Sequence, residues 1–183
     1  MIDEENRPKK RFPPDLEDKV KEAIKKEVLN QKKLSDLPLF GIAGGACGGD
    51  ILFHEVCREF QIPTKLFLAL PKEKFVQHSI NFAGKSWRKR FENLLDYLPV
   101  EVFSDEKSHC YIEASNETGL WELNNLWLLN YALKNSKSTI TLIALWDEKI
   151  SNKVGGTEHM VREAKAKAIE IKIINPTSLI NKK

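Results

Sequence analysis

Hydrophobic and polar positions along this chain change their period several times, and each change marks an element. From Asp15 the apolar residues Leu16, Val20, Ala23, Ile24, Val28 and Leu29 recur at helical spacing, with Lys and Glu between them. That spacing predicts an amphipathic helix over 15–33 with a solvated charged face. Leu37 to Ala43 is a short apolar run ending in a glycine cluster, Gly44, Gly45, Gly48 and Gly49. A helix follows over Ile51 to Phe60, with Asp50 placed to cap it. Lys65 to Leu70 reads as a second strand, Lys72 to His78 as a short helix, and Ser86 as the cap of a longer helix ending near Leu98. Val100 to Phe103 is a third strand. Beyond the polar stretch Ser104 to Gly119 comes a helix over Leu120 to Lys134.

Ser138 to Trp146 carries the clearest strand pattern. It is rich in β-branched and bulky residues and apolar on both faces, as a central strand of a parallel sheet is when helices cover both sides. After the polar loop Asp147 to Gly156, Thr157 opens a helix to about Ile169, and Glu170 to Ile174 forms a last strand. The expected fold is therefore α/β: a Rossmann-like open parallel sheet of about five strands with helices on both faces, preceded by the N-terminal amphipathic helix. Met1 to Pro14, charged and ending in Pro13-Pro14, reads as a flexible lead-in, and 15–183 as a single domain.

Composition narrows the function classes. The chain has 183 residues, 42% of them hydrophobic, with 29 Lys+Arg against 26 Asp+Glu. These values describe an ordinary globular domain and exclude disordered or collagen-like classes. A formal charge of +3 gives no reason to expect nucleic acid as the partner. The longest apolar run, Ile140 to Trp146, is far short of the roughly 20 residues a membrane-spanning helix needs. Cys47, Cys57 and Cys110 stand at unrelated spacings and the four histidines are scattered, so neither a disulfide framework nor a metal site is expected. Residues 1–14 lack the apolar stretch of a signal peptide. The expectation is a reduced cytoplasmic protein with no cofactor.

Candidate chemistry gathers in two glycine-rich strand-to-helix loops, Gly44 to Gly49 and Gly155-Gly156-Thr157. In a parallel sheet both lie beyond the carboxyl ends of strands, where ligands of such folds sit. Glycine lets backbone N–H groups approach a phosphate, and the helix that follows adds favourable partial charge. The loop reads G-G-x-x-G-G, so the dinucleotide fingerprint G-x-G-x-x-G is absent; Gly84-Lys85-Ser86 lacks the preceding glycine of a P-loop. Asp50 is open to two roles, a helix cap or an acceptor for ribose hydroxyls. Glu158 is open to helix-dipole stabilisation or to ligand contact and acid–base work. Arg88, within the cluster Lys85 to Arg90, is a candidate phosphate clamp, and Ser79 is added to the ligand-binding set. Trp87 and Trp121 are read either as core or as base-stacking residues, and Trp127 and Trp146 as core.

The segments GIAGGACGGDILFHEVCREFQIPTKLFLALPKEKFVQHSI, WRKRFENLL and LIALWDEKISNKVGGTEHMVREAKAKAIEIKII resemble the SLOG superfamily, which includes DprA/Smf proteins and lysine-decarboxylase-like phosphoribohydrolases. The likeness covers about Pro38 to Pro176 and is nearest to bacterial SLOG-type domains with G-G-D-I-L-F and W-D…G-G-T loops. It implies a Rossmann-like sheet binding or sensing nucleotides or nucleotide-derived ligands such as ADP-ribose. Gly44, Gly45, Gly48, Gly49 and Asp50 match the first loop; Gly155, Gly156 and Thr157 match the second. The phosphoribohydrolase motif P-G-G-x-G-T-x-x-E is shortened here, and Met160 stands three residues beyond Thr157. Nucleotide binding is thus the leading expectation. The alternatives are hydrolysis of a nucleotide N-glycosidic bond, with Glu158 and Asp50 as the catalytic candidates, and single-stranded DNA binding through Lys85 to Arg90. Partners expected from the resemblance are a second copy of the chain, docked through the N-terminal helix or the Leu120 to Lys134 helix, and an effector domain or protein.

Overall fold

The computed structural model describes residues 1–4, 7–103, 117–149 and 155–180, with the side chains of 117 and 118 excepted. Alternation is clearest in β2 (Thr64–Leu68), which lies between β1 (Gly41–Ala43) and β3 (Val100–Val102) in a parallel sheet of order β1-β2-β3. Gly41 pairs with Thr64, and Leu66 with Val100. Leu66 and Leu68 join the main core, where they meet helices α2 (Gly49–Glu59) and α4 (Lys85–Tyr97) through Leu52, Val56, Phe91 and Leu94. Phe67 points the other way, edge-on to Trp127 and Tyr131 of α5 (Glu117–Asn135) at 4.7 and 4.8 Å. Both faces of β2 are covered, which a parallel strand needs to bury its apolar residues. α3 (Lys72–Ser79) connects β2 to the turn before α4.

The expected five-strand sheet is divided. β4 (Thr141–Leu145) and β5 (Glu170–Ile174) form a separate two-stranded parallel sheet, with Thr141 opposite Glu170 and Leu145 opposite Ile174. No β1–β4 pairing joins the two sheets among the described residues. The run Leu37 to Ala43 yields only three strand residues. Pro38 has no N–H to give to a ladder, and Leu37 and Phe40 remain exposed. So short a strand bonds to β2 along one edge, and the seam toward β4 is closed by a side chain, with Leu145 against Gly49. Ser138 to Trp146, expected as a central strand, is likewise shorter and paired on one side only. The polar stretch 104–116 and residues 150–154 of the last loop lie outside the described residues.

α1 (Glu17–Leu34) follows a single 3-10 turn at Pro14–Leu16 and buries Val20, Ile24 and Val28 against α2 and the β4–β5 sheet. The periodicity predicted this helix, and its apolar stripe is covered by the chain's own body. α6 (Thr157–Ala166) packs on β4, β5 and α5, with Ala164 and Leu129 in a smaller core. The expected side-chain caps are absent. Helices α2, α4 and α6 start from Gly48, Gly84 and Gly156, none with a side-chain capping bond. Asp50, Ser86 and Thr157 instead lie inside the first turns.

In the stretch 1–14, expected as a flexible lead-in, Ile2 and Phe12 are packed into the main core. Ile2 and Phe12 are 3% and 2% exposed, and the Ile2 N–H donates to the Cys47 carbonyl at 3.0 Å. Two buried apolar side chains among the charges provide the reason.

Ala168 ends α6 in the left-handed region at φ 53°, where the N–H of Ile169 reaches back to Ala164 at 3.0 Å. Glycine takes this conformation without the Cβ clash. Ala168→Gly is expected to raise the unfolding free energy by about 0.5–1 kcal/mol. Urea unfolding of the two proteins checks it, and a lower midpoint for the variant would contradict it.

Candidate functional site

The loop after β1 is shaped by four close approaches, of which those at Gly45 and Gly48 leave the least room for a Cβ. A side chain at Gly45 would lie 2.7 Å from the Phe91 ring, and one at Gly48 would lie 2.8 Å from the Ile2 nitrogen. One at Gly49 would press on Leu145 at 3.3 Å, and one at Gly44 would sit 2.6 Å from Asp50 Oδ2. Gly48 also takes φ 110°, a region that favours glycine. The atoms that come close to this loop are thus the protein's own.

Two buried groups hold the loop from below. His54 of α2 is fully buried, and its ring bridges the Thr64 hydroxyl at 2.9 Å from Nδ1 and the Gly44 carbonyl at 3.1 Å from Nε2. The carbonyl accepts only, so Nε2 carries the proton and Nδ1 accepts from Thr64. Burial pushes the His54 pKa down to about 4, and the ring is neutral at physiological pH. Ser79, at the end of α3 and 2% exposed, accepts the Cys47 N–H at its carbonyl, 3.2 Å away. Burial pushes the Cys47 thiol up to about 12, so it is protonated and unreactive where it lies.

Asp50 does not cap its helix. Its Oδ2 turns back to accept the Ala46 N–H at 3.2 Å, closing the loop over itself. Burial raises the carboxyl above its usual range.

The second loop rests on α5. Gly155 has φ 78°, and a side chain there would run into the Trp121 Cβ. Asn125 Nδ2 donates to the carbonyls of Gly155 at 2.9 Å and Gly156 at 3.4 Å, and lies 3.2 Å from His159 Nδ1. His159 Nε2 faces Glu122 and Glu163 at 3.8 and 3.9 Å. Gly156 and Thr157 are exposed and Glu158 is half-buried at the start of α6.

An aromatic bridge connects the two loops. Phe91 under Gly45 stacks on Phe75 at 5.6 Å, and Phe75 lies 6.5 Å from Trp121, which underlies Gly155. Trp121 is therefore a support of the second loop. Trp87 is buried beneath the Arg90 guanidinium at 4.0 Å, which makes it a core residue. Trp127 packs on Phe67 and Phe103, and Trp146 is half-buried with no partner for its Nε1.

Gly44, Gly45, Gly48, Gly49 and Asp50 share one loop, which the Ser79 carbonyl also holds. Gly155, Gly156, Thr157 and Glu158 form a second, whose Gly155 lies on Trp121 at the other end of the aromatic bridge. Arg88 stands apart from the loop contacts. It pairs with Glu92 at 3.1 Å on the exposed face of α4. Arg90 is committed to Glu55 and Glu17, each at 2.6 Å. The cluster Lys85 to Arg90 thus has its two arginines occupied by carboxylates.

Sequence reasoning missed His54, Asn125 and the pair Arg11–Asp147. His54 follows Asp50 by one helical turn, which was a readable signal. The others act across the fold and left none. Arg11 holds Asp147 through Nε at 2.9 Å and Nη2 at 2.6 Å. Burial by itself would raise the Asp147 carboxyl, and the guanidinium outweighs it and holds the group below its usual range.

Two clefts among the described residues lie away from both loops. One of roughly 370 Å³ is lined by Lys21, Glu55, Arg58 and Arg90, and one of roughly 510 Å³ by Leu133, Ser138, Lys165 and Lys167. Among the described residues no cluster of His, Cys, Asp or Glu is arranged to hold a metal, and no helix is long and apolar enough to cross a membrane. No protein-family model, curated protein or solved structure matches the chain.

The His54 bridge makes a pH prediction. The unfolded histidine, near 6.5, binds its proton before the folded one, near 4, so stability is full above about pH 6.5 and falls as pH drops toward 4. At 1.36 kcal/mol per unit, about 2.5 kcal/mol is lost between pH 7.5 and 4.5 through this group. His54→Gln is expected to shrink the stability difference between those two pH values by about that amount. Urea unfolding at both checks it; an unchanged difference would show that His54 does not carry the dependence.

Proposed function

We propose that this protein binds or senses a nucleotide or nucleotide-derived ligand at the carboxyl ends of β1 and β4. The observation that carries the reading is that α2 and α6 each open on a glycine without a side-chain cap, beyond those strand ends, with their loops on one aromatic support. First-turn N–H groups left uncapped are donors for phosphate oxygens, and the helix dipole favours the negative charge. The exposed turn at Gly156 and Thr157 takes the phosphate, while Asp50 and the first loop supply acceptors and shape toward the ribose. The resemblance to nucleotide-binding SLOG domains points the same way.

Calorimetry against AMP, ADP-ribose, NAD and cyclic nucleotides tests this, with micromolar binding of at least one expected. Gly156→Asp puts a favoured capping carboxylate where phosphate sits, so affinity is expected to fall at least tenfold, about 1.4 kcal/mol, while the melting temperature holds or rises. Binding of none of the four, or full affinity in the variant, overturns the reading.

The Asp50 carboxyl supports a second reading, hydrolysis of a nucleotide N-glycosidic bond. A raised pKa suits a general acid, and Glu158 in the first turn of α6 is the second candidate. Incubation with nucleoside monophosphates and NAD, followed by chromatography for free base, is expected to show release that Asp50→Asn lowers at least a hundredfold. Absence of free base removes this reading and leaves binding as the function.

A further inference from the structure

We infer that His159 is a positioning residue of the second glycine loop, and that its protonation releases the loop through Asn125. This pH regulation of the site rests on the ligand-binding reading above.

A trans peptide points its C=O and its N–H in opposite directions. Asn125 Nδ2 donates to the carbonyls of Gly155 at 2.9 Å and Gly156 at 3.4 Å. Carbonyls held toward α5 send the N–H groups of Gly156 and Thr157 the other way, and both residues are exposed. Those are the donors a phosphate needs at the start of α6. The Gly156 carbonyl also accepts the Met160 N–H at 3.2 Å, so among the described residues it is Gly155 that depends on Asn125 alone.

The same amide nitrogen lies 3.2 Å from His159 Nδ1. Its orientation follows from its surroundings, because an oxygen in its place would face two carbonyl oxygens. An amide N–H only donates, so Nδ1 accepts and the neutral ring carries its proton on Nε2. Nε2 faces Glu122 of α5 and Glu163 of α6 at 3.8 and 3.9 Å, too far for a hydrogen bond but within reach of an ion pair once the ring is charged.

A second proton must therefore go to Nδ1, where it meets the Asn125 N–H head on. The contact is relieved when the amide turns its oxygen to the ring or withdraws, and in both cases the nitrogen leaves the Gly155 carbonyl. The N–H groups of Gly156 and Thr157 then lose their fixed direction. Of the elements packed on α6, α5 presents Glu122, β5 has Glu170 and Lys172 paired with each other, and Asp147 beyond β4 is paired with Arg11. On α6 itself Arg162 lies 3.4 Å from Glu163, and Glu158 directly precedes His159. A charged ring would by itself attract a phosphate, but Glu122 and Glu163 offset that pull. The loss of the aimed N–H groups decides the sign, and affinity falls as pH drops.

Histidine side chains change charge between pH 5 and 8, while His54 stays neutral down to about 4. In nitrogen–proton NMR spectra of the free protein between pH 8 and 5.5, the Asn125 side-chain NH2 and the backbone N–H signals of Gly156 and Thr157 are expected to move with the His159 ring. In Asn125→Ala the ring should still titrate and the two backbone signals stay in place. Calorimetry uses ADP-ribose and NAD, whose phosphates are diesters and lack the ionisation near pH 6 of a terminal phosphate. Affinity in the parent is expected to fall about tenfold from pH 8 to 5.5. His159→Asn keeps an acceptor in place of Nδ1 without taking a proton, and should hold its affinity across that range. A dependence carried by the Asp50 carboxyl would persist in this variant. If the loop signals follow the ring and no nucleotide binds any form, the relay stands and the nucleotide reading falls. If they do not follow the ring, or follow it equally in Asn125→Ala, the relay is overturned. It is also overturned if the parent shows no pH dependence of binding, or if His159→Asn keeps the parent's.

Discussion

Four parts of this chain meet at the first glycine loop, and they can meet only because no side chain stands between them. Phe91 of α4 fills the space at Gly45, the N-terminal segment at Gly48, Leu145 of β4 at Gly49, and the loop's own Asp50 at Gly44. A methyl group at Gly45 or Gly48 would approach within 2.8 Å of its neighbour, closer than packed atoms tolerate. The seam between the two sheets, the seat of the N-terminal segment and the start of α2 all depend on this close approach. His54 then fixes the loop by tying the Gly44 carbonyl to Thr64 at the start of β2.

This constraint changes how the glycines are understood. Read as a linear motif they suggest a backbone held open for phosphate. In the fold, protein atoms lie against the Cα positions, while the first-turn N–H groups of α2 lack a side-chain cap. Glycine here serves packing first, and the donors for a ligand are those of the helix start. The second loop differs, since Asn125 and Trp121 support it from one side and Gly156 and Thr157 face solvent.

Much of the fold was legible because the signals are local. Val20, Ile24 and Val28 mark the buried stripe of α1 by spacing alone, and Glu170 to Ile174 is a strand with the limits its residues suggest. Of the candidate site, the glycines and Asp50 stood out as residue types in a strand-to-helix pattern, whereas Ser79 meets the loop only through its backbone carbonyl. The partners across the fold did not stand out, since Asn125 lies 30 residues from Gly155 and Arg11 lies 136 from Asp147. Cap assignments failed for a related reason. Asp50, Ser86 and Thr157 are good capping residues, but the chain turns one or two residues earlier at a glycine.

The sequence by itself determined the order of strands and helices, the two glycine-rich helix starts and the amphipathic first helix. Each follows from periodicity or backbone freedom within a few residues. The tertiary structure decided that the strands fall into two sheets, because ladder pairing depends on how many residues of β1 can reach a neighbour. It also decided that Ile2 and Phe12 of the charged N-terminal stretch are buried, because their burial exists only once the β1 loop offers them a surface. Arg88 and Arg90 were settled in the same way. A cation's role depends on the nearest carboxylate in space, and here Glu92, Glu55 and Glu17 are already in place.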